Sequence, residues 1–132
     1  MGSTEENTKA LVGYLQDHDA SYLADDAVFM DMSTGTEYVG REAVERMLHW
    51  FYNEAFDATG ETSNLVVDDD HGAWEGWVVG RHIGDFAGIP ATGKEFRVPI
   101  VVTYDLEDAK ITRGRIYFAV PVLMAQLGVG GA

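Results

Sequence analysis

The chain has 132 residues, 46% of them hydrophobic and 23% charged, with 22 acidic against 9 basic side chains and a formal charge of -13. That length supports one domain spanning residues 1–132 around a single core and argues against a second. The acid excess repels phosphate backbones and anionic headgroups, which excludes nucleic acid and membrane surfaces as partners, and the absence of cysteine removes disulfides, thiol nucleophiles and thiolate metal sites.

The opening Met1-Gly2-Ser3-Thr4-Glu5-Glu6 lacks the basic region and apolar stretch of a secretory signal, and no later run is long enough to span a bilayer. A cytoplasmic location is expected. From Thr8, Leu11, Val12 and Leu15 recur at helical spacing with Tyr14 beside them, and Thr4 with Asn7 offers a cap. The pattern breaks near His18-Asp19, and a short helical turn follows through Tyr22 and Leu23. Ala27 to Asp31 reads as a strand that ends on an acid, followed by the turn residues Ser33-Thr34-Gly35-Thr36. Gly40 precedes a second helix, Arg41 to Glu54, with Val44, Met47, Leu48 and Phe51 on one stripe.

After Gly60 the period changes. Ser63 to Asp68, Ala73 to His82, Phe96 to Leu106 and Lys110 to Val120 are rich in β-branched and aromatic residues and read as strands. Their connections are short enough for antiparallel neighbours, apart from an extended loop over Gly84 to Gly93. Pro121 to Leu127 adds a last helical turn or two, ending at Gly128. Helices followed by a meander of long strands predict an α+β fold in which a curved antiparallel sheet wraps the helices, with a binding cavity between them.

Asp31 lies among Phe29, Met30 and Met32, so apolar neighbours flank it whichever way the strand alternates. A carboxylate in that setting suits taking a proton from carbon and returning it; the competing reading is an Asx-turn cap before Ser33-Thr34-Gly35. His82 closes a strand whose alternate members are Trp74, Gly76, Val78 and Gly80, while Glu75, Trp77, Val79 and Arg81 face the other way. In the last strand Arg113, Arg115 and Tyr117 share one face. If it lines the cavity, Arg115 and Tyr117 are donors to a carbonyl or enolate; if it meets another subunit, they are interface residues.

Phe29, Met47, Trp50, Phe51, Trp74 and Met124 supply apolar walls for a small hydrophobic ligand, or plain core. His18, His49, His71 and His82 show no paired ligand spacing, so they default to surface histidines and no metal is expected. Gly84 to Gly93 lacks the lysine-serine ending of a phosphate loop and opens no helix, so no nucleotide cradle and no cofactor are expected either. A one-sided sheet bearing Trp77 and Val79 needs cover, which predicts a homodimer.

The order of elements, together with ADDAVFMD from Ala24 to Asp31, YVGREAVERML from Tyr38 to Leu48, GRHIGDFAGIPATGK from Gly80 to Lys94 and ITRGRIYF from Ile111 to Phe118, resembles the nuclear transport factor 2-like superfamily over nearly the whole chain. Within it, His82 to Lys94 and the ending LMAQLG look most like SnoaL-like polyketide cyclases. That resemblance implies a cone-shaped fold and favours His82 as a pocket residue that donates to a substrate carbonyl or shuttles a proton; a hydrogen-bonded histidine at a strand end is the alternative. In ketosteroid isomerases a stretch similar to ADDAVFMD ends in the proton-moving aspartate, here Asp31. Their oxyanion tyrosine lies on the first helix, where the nearest residue is Tyr14, offset by about a turn. Limonene epoxide hydrolases are similar over DAVFMDM, YVGREAVERML and ITRGRIYF. Arg81 falls on their arginine, but their two acids fall on Ile83 and Ala119, their tyrosine on Phe29 and their asparagine on Asp31.

The function expected is a cofactor-independent cyclase or isomerase acting on a small hydrophobic, polyketide-like carbonyl compound, with Asp31 as base and Tyr14, His82 or Tyr117 stabilising an enolate. One alternative is an epoxide hydrolase or epoxide-opening cyclase with Asp31 holding water. Another is a non-catalytic small-ligand-binding or dimerisation module, which the missing acids at Ile83 and Ala119 favour.

Overall fold

In the computed structural model, which describes residues 3–129, the Ser3 hydroxyl accepts a hydrogen bond from the Glu6 N–H at 3.1 Å and so caps helix α1, Thr4–Asp17. The face of α1 turned inward carries Asn7, Ala10, Leu11 and Tyr14, whereas Val12 is 46% exposed. This differs from the expected stripe because the buried turn begins on a polar residue. Asn7 Nδ2 donates to the carbonyls of Asp68 and Asp69 at 3.0 and 2.8 Å and ties the helix to the turn those residues form.

A 3-10 turn over Ala20–Tyr22 leads into β1, Leu23–Asp31, which turns back into β2, Thr36–Val39. Strand β2 falls where only turn chemistry was expected. Helix α2, Arg41–His49, does not run on to Glu54 as an α-helix; Trp50–Ala55 form a wider π turn. Then come β3, Phe56–Val67, β4, His71–His82, β5, Glu95–Glu107, β6, Lys110–Phe118, and helix α3, Val120–Leu127. Strand β3 begins seven residues before the predicted Ser63, because its first half is polar and glycine-bearing yet pairs with β4 from Phe56 opposite His82 onward.

The six strands form one sheet in the order β2-β1-β6-β5-β4-β3. Every neighbour is antiparallel except β1 and β6, which run parallel. Alternation along the long strands sends Trp74, Val78 and His82 of β4 and Phe96, Val98, Ile100, Val102 and Tyr104 of β5 inward. There they meet Leu11 and Tyr14 of α1 and Val44, Met47 and Leu48 of α2. Each fully buried aliphatic or phenylalanine side chain among them contributes roughly 1.5–3 kcal/mol of burial.

Strand β6 ends opposite Ile100, so the start of β5 has no neighbour on that side. Helix α3 fills the place with Leu123 and Leu127 buried. The Gln126 amide accepts from the Arg97 N–H at 2.8 Å and donates to the Arg97 carbonyl at 2.9 Å, as a paired strand would.

Candidate functional site

Between the concave face of the sheet and the helices lies a cavity of about 240 Å³. Strand register sets its floor: Phe29 of β1, Gly114 of β6 and Tyr104 of β5 form one row, and Asp31, Ile116 and Val102 form the next inward-facing row. Gly114 is required there, since a Cβ would stand 2.8 Å from the Phe29 ring. Met47, Trp50, Phe51 and Tyr52 form the roof from α2 and the π turn, and Phe86 closes one side from the β4–β5 loop. Trp50 stacks on Phe86 with centroids 5.8 Å apart. The mouth lies where exposed Thr34, Thr36, Trp50 and Ala87 reach the cavity.

Asp31 borders this mouth side. Its Oδ1 accepts hydrogen bonds from the Ser33 N–H at 2.9 Å and the Ser33 hydroxyl at 2.6 Å, an Asx turn. The capping and cavity readings therefore describe the same side chain, with one oxygen held by the turn. Asp31 is the one carboxylate among the described residues of the lining. Close by on β2, the Tyr38 phenol is held above its ordinary range, first by burial and then by the negative charge of Asp31.

The inner end is phenolic. Tyr14 and Tyr104 are 1% and 2% exposed, and their rings meet edge to face at 5.9 Å. His18 meets Tyr14 edge-on at 5.2 Å and stacks on Tyr52 at 4.6 Å. Burial pushes the Tyr14 and Tyr104 phenols far up, with the neighbouring tyrosines adding to the effect, and it also raises that of Tyr52. Burial lowers the His18 imidazole to about 4, against a smaller upward pull from Asp17. At neutral pH this end is polar but uncharged. His18 reaches it because it closes α1 in the left-handed region at φ 55, its N–H bonded to the Tyr14 carbonyl.

Of the expected wall residues, Phe29, Met47, Trp50, Phe51 and Trp74 lie on the cavity together with Tyr14 and Asp31. The Trp74 indole N–H is bonded to Thr62 Oγ1 at 2.8 Å. The rest are elsewhere. Met124 sits half-buried on α3, away from the lining. In β6 it is Ile116 and Phe118 that point inward, which turns the polar face out: Tyr117 is 46% exposed, and Arg115 grips Asp105 with two hydrogen bonds of 3.0 and 3.1 Å. That pairing holds the Asp105 carboxyl low.

His82 is fully buried beside Phe56 but off the cavity wall. Its Nδ1 lies 3.0 Å from the Thr92 hydroxyl and accepts from the Thr92 N–H at 3.2 Å, and its buried Nε2 has no hydrogen-bond partner among the described residues. His18 departs from the surface default, and it, Tyr52 and Tyr104, with Thr34, Thr36 and Tyr38 toward the mouth, are polar lining residues that sequence reasoning missed. The arginine of the epoxide hydrolase pattern faces outward as well: Arg81 donates to Glu95 at 2.9 Å and to the Gly93 carbonyl at 2.6 Å. Among the described residues no cluster of three or more metal-ligating side chains forms, and no helix is long and apolar enough to cross a membrane.

Residues 16–127 match the sequence profile of the SnoaL-like polyketide cyclases. The chain belongs to that family. No curated protein matches it, but solved structures with its fold are numerous. A candidate SnoaL-like polyketide cyclase from Jannaschia sp. CCS1 superposes with a TM-score of 0.87 at 15% identity, covering 99% of this chain and 97% of the other. IdmH of Streptomyces antibioticus, a candidate polyketide cyclase, gives 0.77 at 22% identity, with 93% and 99% covered. AclR of Streptomyces galilaeus, a candidate hydroxylase, gives 0.78 at 19% identity, with 96% and 98% covered. At these identities the likeness establishes the fold, the SnoaL-like form of the nuclear transport factor 2-like architecture. What the site does rests on its residues.

Proposed function

We propose that this SnoaL-like protein is a cofactor-independent cyclase or isomerase that moves a proton on carbon next to a carbonyl in a small hydrophobic, polyketide-like compound. The observation that carries the reading is that Asp31 is the one carboxylate on the described lining of a cavity whose other lining residues are apolar, phenolic or neutral polar. With Oδ1 held by Ser33, its Oδ2 takes the proton, electron density moves onto the carbonyl oxygen, and the Tyr14 hydroxyl stabilises that oxygen until the proton returns or a carbon–carbon bond forms. The descriptions of the family and of two structural neighbours as polyketide cyclases support this chemistry. This reading assigns no role to His82 or Tyr117, which are not among the described lining residues.

Hydrogen exchange at the α-carbon of 2-tetralone in deuterated buffer, followed by NMR, tests the step without knowledge of the natural substrate. Removing the base in Asp31→Asn is expected to slow exchange by about 10²-fold or more, with the circular dichroism spectrum unchanged. Near-normal exchange in that variant would remove Asp31 from the chemistry. Exchange absent from the wild-type protein would favour a binding module, and labelled solvent oxygen in a product would favour hydration or epoxide opening.

A further inference from the structure

The inner end of the cavity holds more hydrogen-bonding capacity than the proton transfer uses. Tyr104 and Tyr14 are almost completely buried, yet neither hydroxyl has a hydrogen-bond partner among the described residues, and both side chains line the cavity. The His18 ring lines the same end, and its nitrogens are likewise unpartnered among the described residues. These groups face the cavity space, so a bound molecule that displaces water from them and leaves them unpaired loses affinity, and one that bonds to them gains it.

Three properties define that ligand, given the reading that this cavity takes the substrate. No lysine or arginine is among the described residues of the lining, and the chain carries a net charge of -13, so a carboxylate, a phosphate or a phosphate-bearing carrier finds nothing to pair with. An apolar cavity of roughly 150 Å³ holds benzene; by proportion, 240 Å³ holds about ten non-hydrogen atoms, or two fused rings. Tyr104 lies two strands from the β1 row of Asp31 and one inward-facing step along it, about 10 Å across and 7 Å along. One ring does not bridge that gap, but two do.

We infer that Tyr104 and His18, beside Tyr14, form a binding subsite for an uncharged hydroxyl on a bicyclic ring, and that this subsite sets which carbon lies under Asp31. The hydroxyl oxygen accepts from the Tyr104 phenol, and its proton is given to the His18 imidazole. Phe29, Phe51, Phe118 and Trp74 line the same cavity and offer aromatic surface to the rings.

The test is binding alone, measured by fluorescence titration with 2-naphthol, naphthalene, phenol, anthracen-2-ol and 2-naphthoate. The wild-type protein is expected to bind 2-naphthol about tenfold more tightly than naphthalene, and more tightly than phenol or anthracen-2-ol, with 2-naphthoate weakest. Tyr104→Phe and His18→Asn are each expected to weaken 2-naphthol by about 3- to 10-fold while naphthalene stays within about twofold, which also reports an intact cavity. Equal affinity for naphthalene and 2-naphthol, equal losses of both in the variants, or a preference for one ring, three rings or the carboxylate would overturn the subsite. Because the assay involves no turnover, selective binding without exchange of 2-tetralone would count against the Asp31 chemistry only, and Asp31-dependent exchange without selective binding would count against the subsite only.

Discussion

Acidification is expected to destabilise the protein in a window that belongs to His18. In the unfolded chain a histidine titrates near 6.5; in the fold, packing against Tyr14 and Tyr52 lowers His18 to about 4, with Asp17 opposing. The unfolded chain thus takes up a proton that the folded chain refuses, so stability is fully present above about pH 6.5 and is lost as pH falls toward 4. Between pH 7.5 and 4.5 the loss from this one group is about 2.5 kcal/mol, or about 1 to 1.5 M in the urea midpoint of a domain this size. The assay is urea unfolding followed by tryptophan fluorescence at several pH values, in the wild-type protein and in His18→Asn. Asparagine accepts the left-handed backbone of position 18 and does not titrate, so the variant starts less stable but lacks this part of the slope. The carboxyls of Asp19, Asp68 and Asp105, which their hydrogen bonds hold low, act only below about pH 5, at the foot of the window. Parallel midpoint-against-pH curves for the two proteins would refute the argument.

Gly114→Ala drives a methyl into the Phe29 ring and is expected to cost about 1–3 kcal/mol; differential scanning calorimetry should show a melting temperature several degrees lower, and an unchanged value would mean the floor yields freely. A homodimer through the outer sheet face, where Arg97 already covers Trp77 at 3.9 Å and Tyr117 stands exposed, is expected to give twice the single-chain mass in light scattering at micromolar concentration. A clean monomer would leave that face to solvent.

Asp31 was legible in the sequence because Phe29, Met30 and Met32 flank it whichever way its strand alternates, and Met47 and Phe51 because they share one helical stripe. The phenolic end was not, and each residue there has its own reason. Tyr104 sits mid-strand and reads as core; Tyr52 reaches the cavity because the π turn widens the helix and shifts its stripe past Phe51. His18 arrives through a left-handed residue at a helix end, a place where glycine or asparagine is the usual signal. Strand β2 was hidden by its sequence, Thr-Glu-Tyr-Val, which is mostly exposed and lacks apolar alternation. The facing of β6 was undecidable, since both of its sides carry plausible cavity residues until the parallel pairing with β1 puts Ile116 beside Asp31.

The Gln126 clip has a bearing on solubility. An open strand edge offers its amides and carbonyls to any other chain with the same need, and sheet proteins guard such edges against intermolecular pairing and fibre formation. Here the guard is a helix of eight residues whose side-chain amide imitates a neighbouring strand at Arg97. Loosening α3 would therefore do more than subtract Leu123 and Leu127 from the core: it would uncover a template for aggregation next to the Phe96, Val98 and Ile100 side chains.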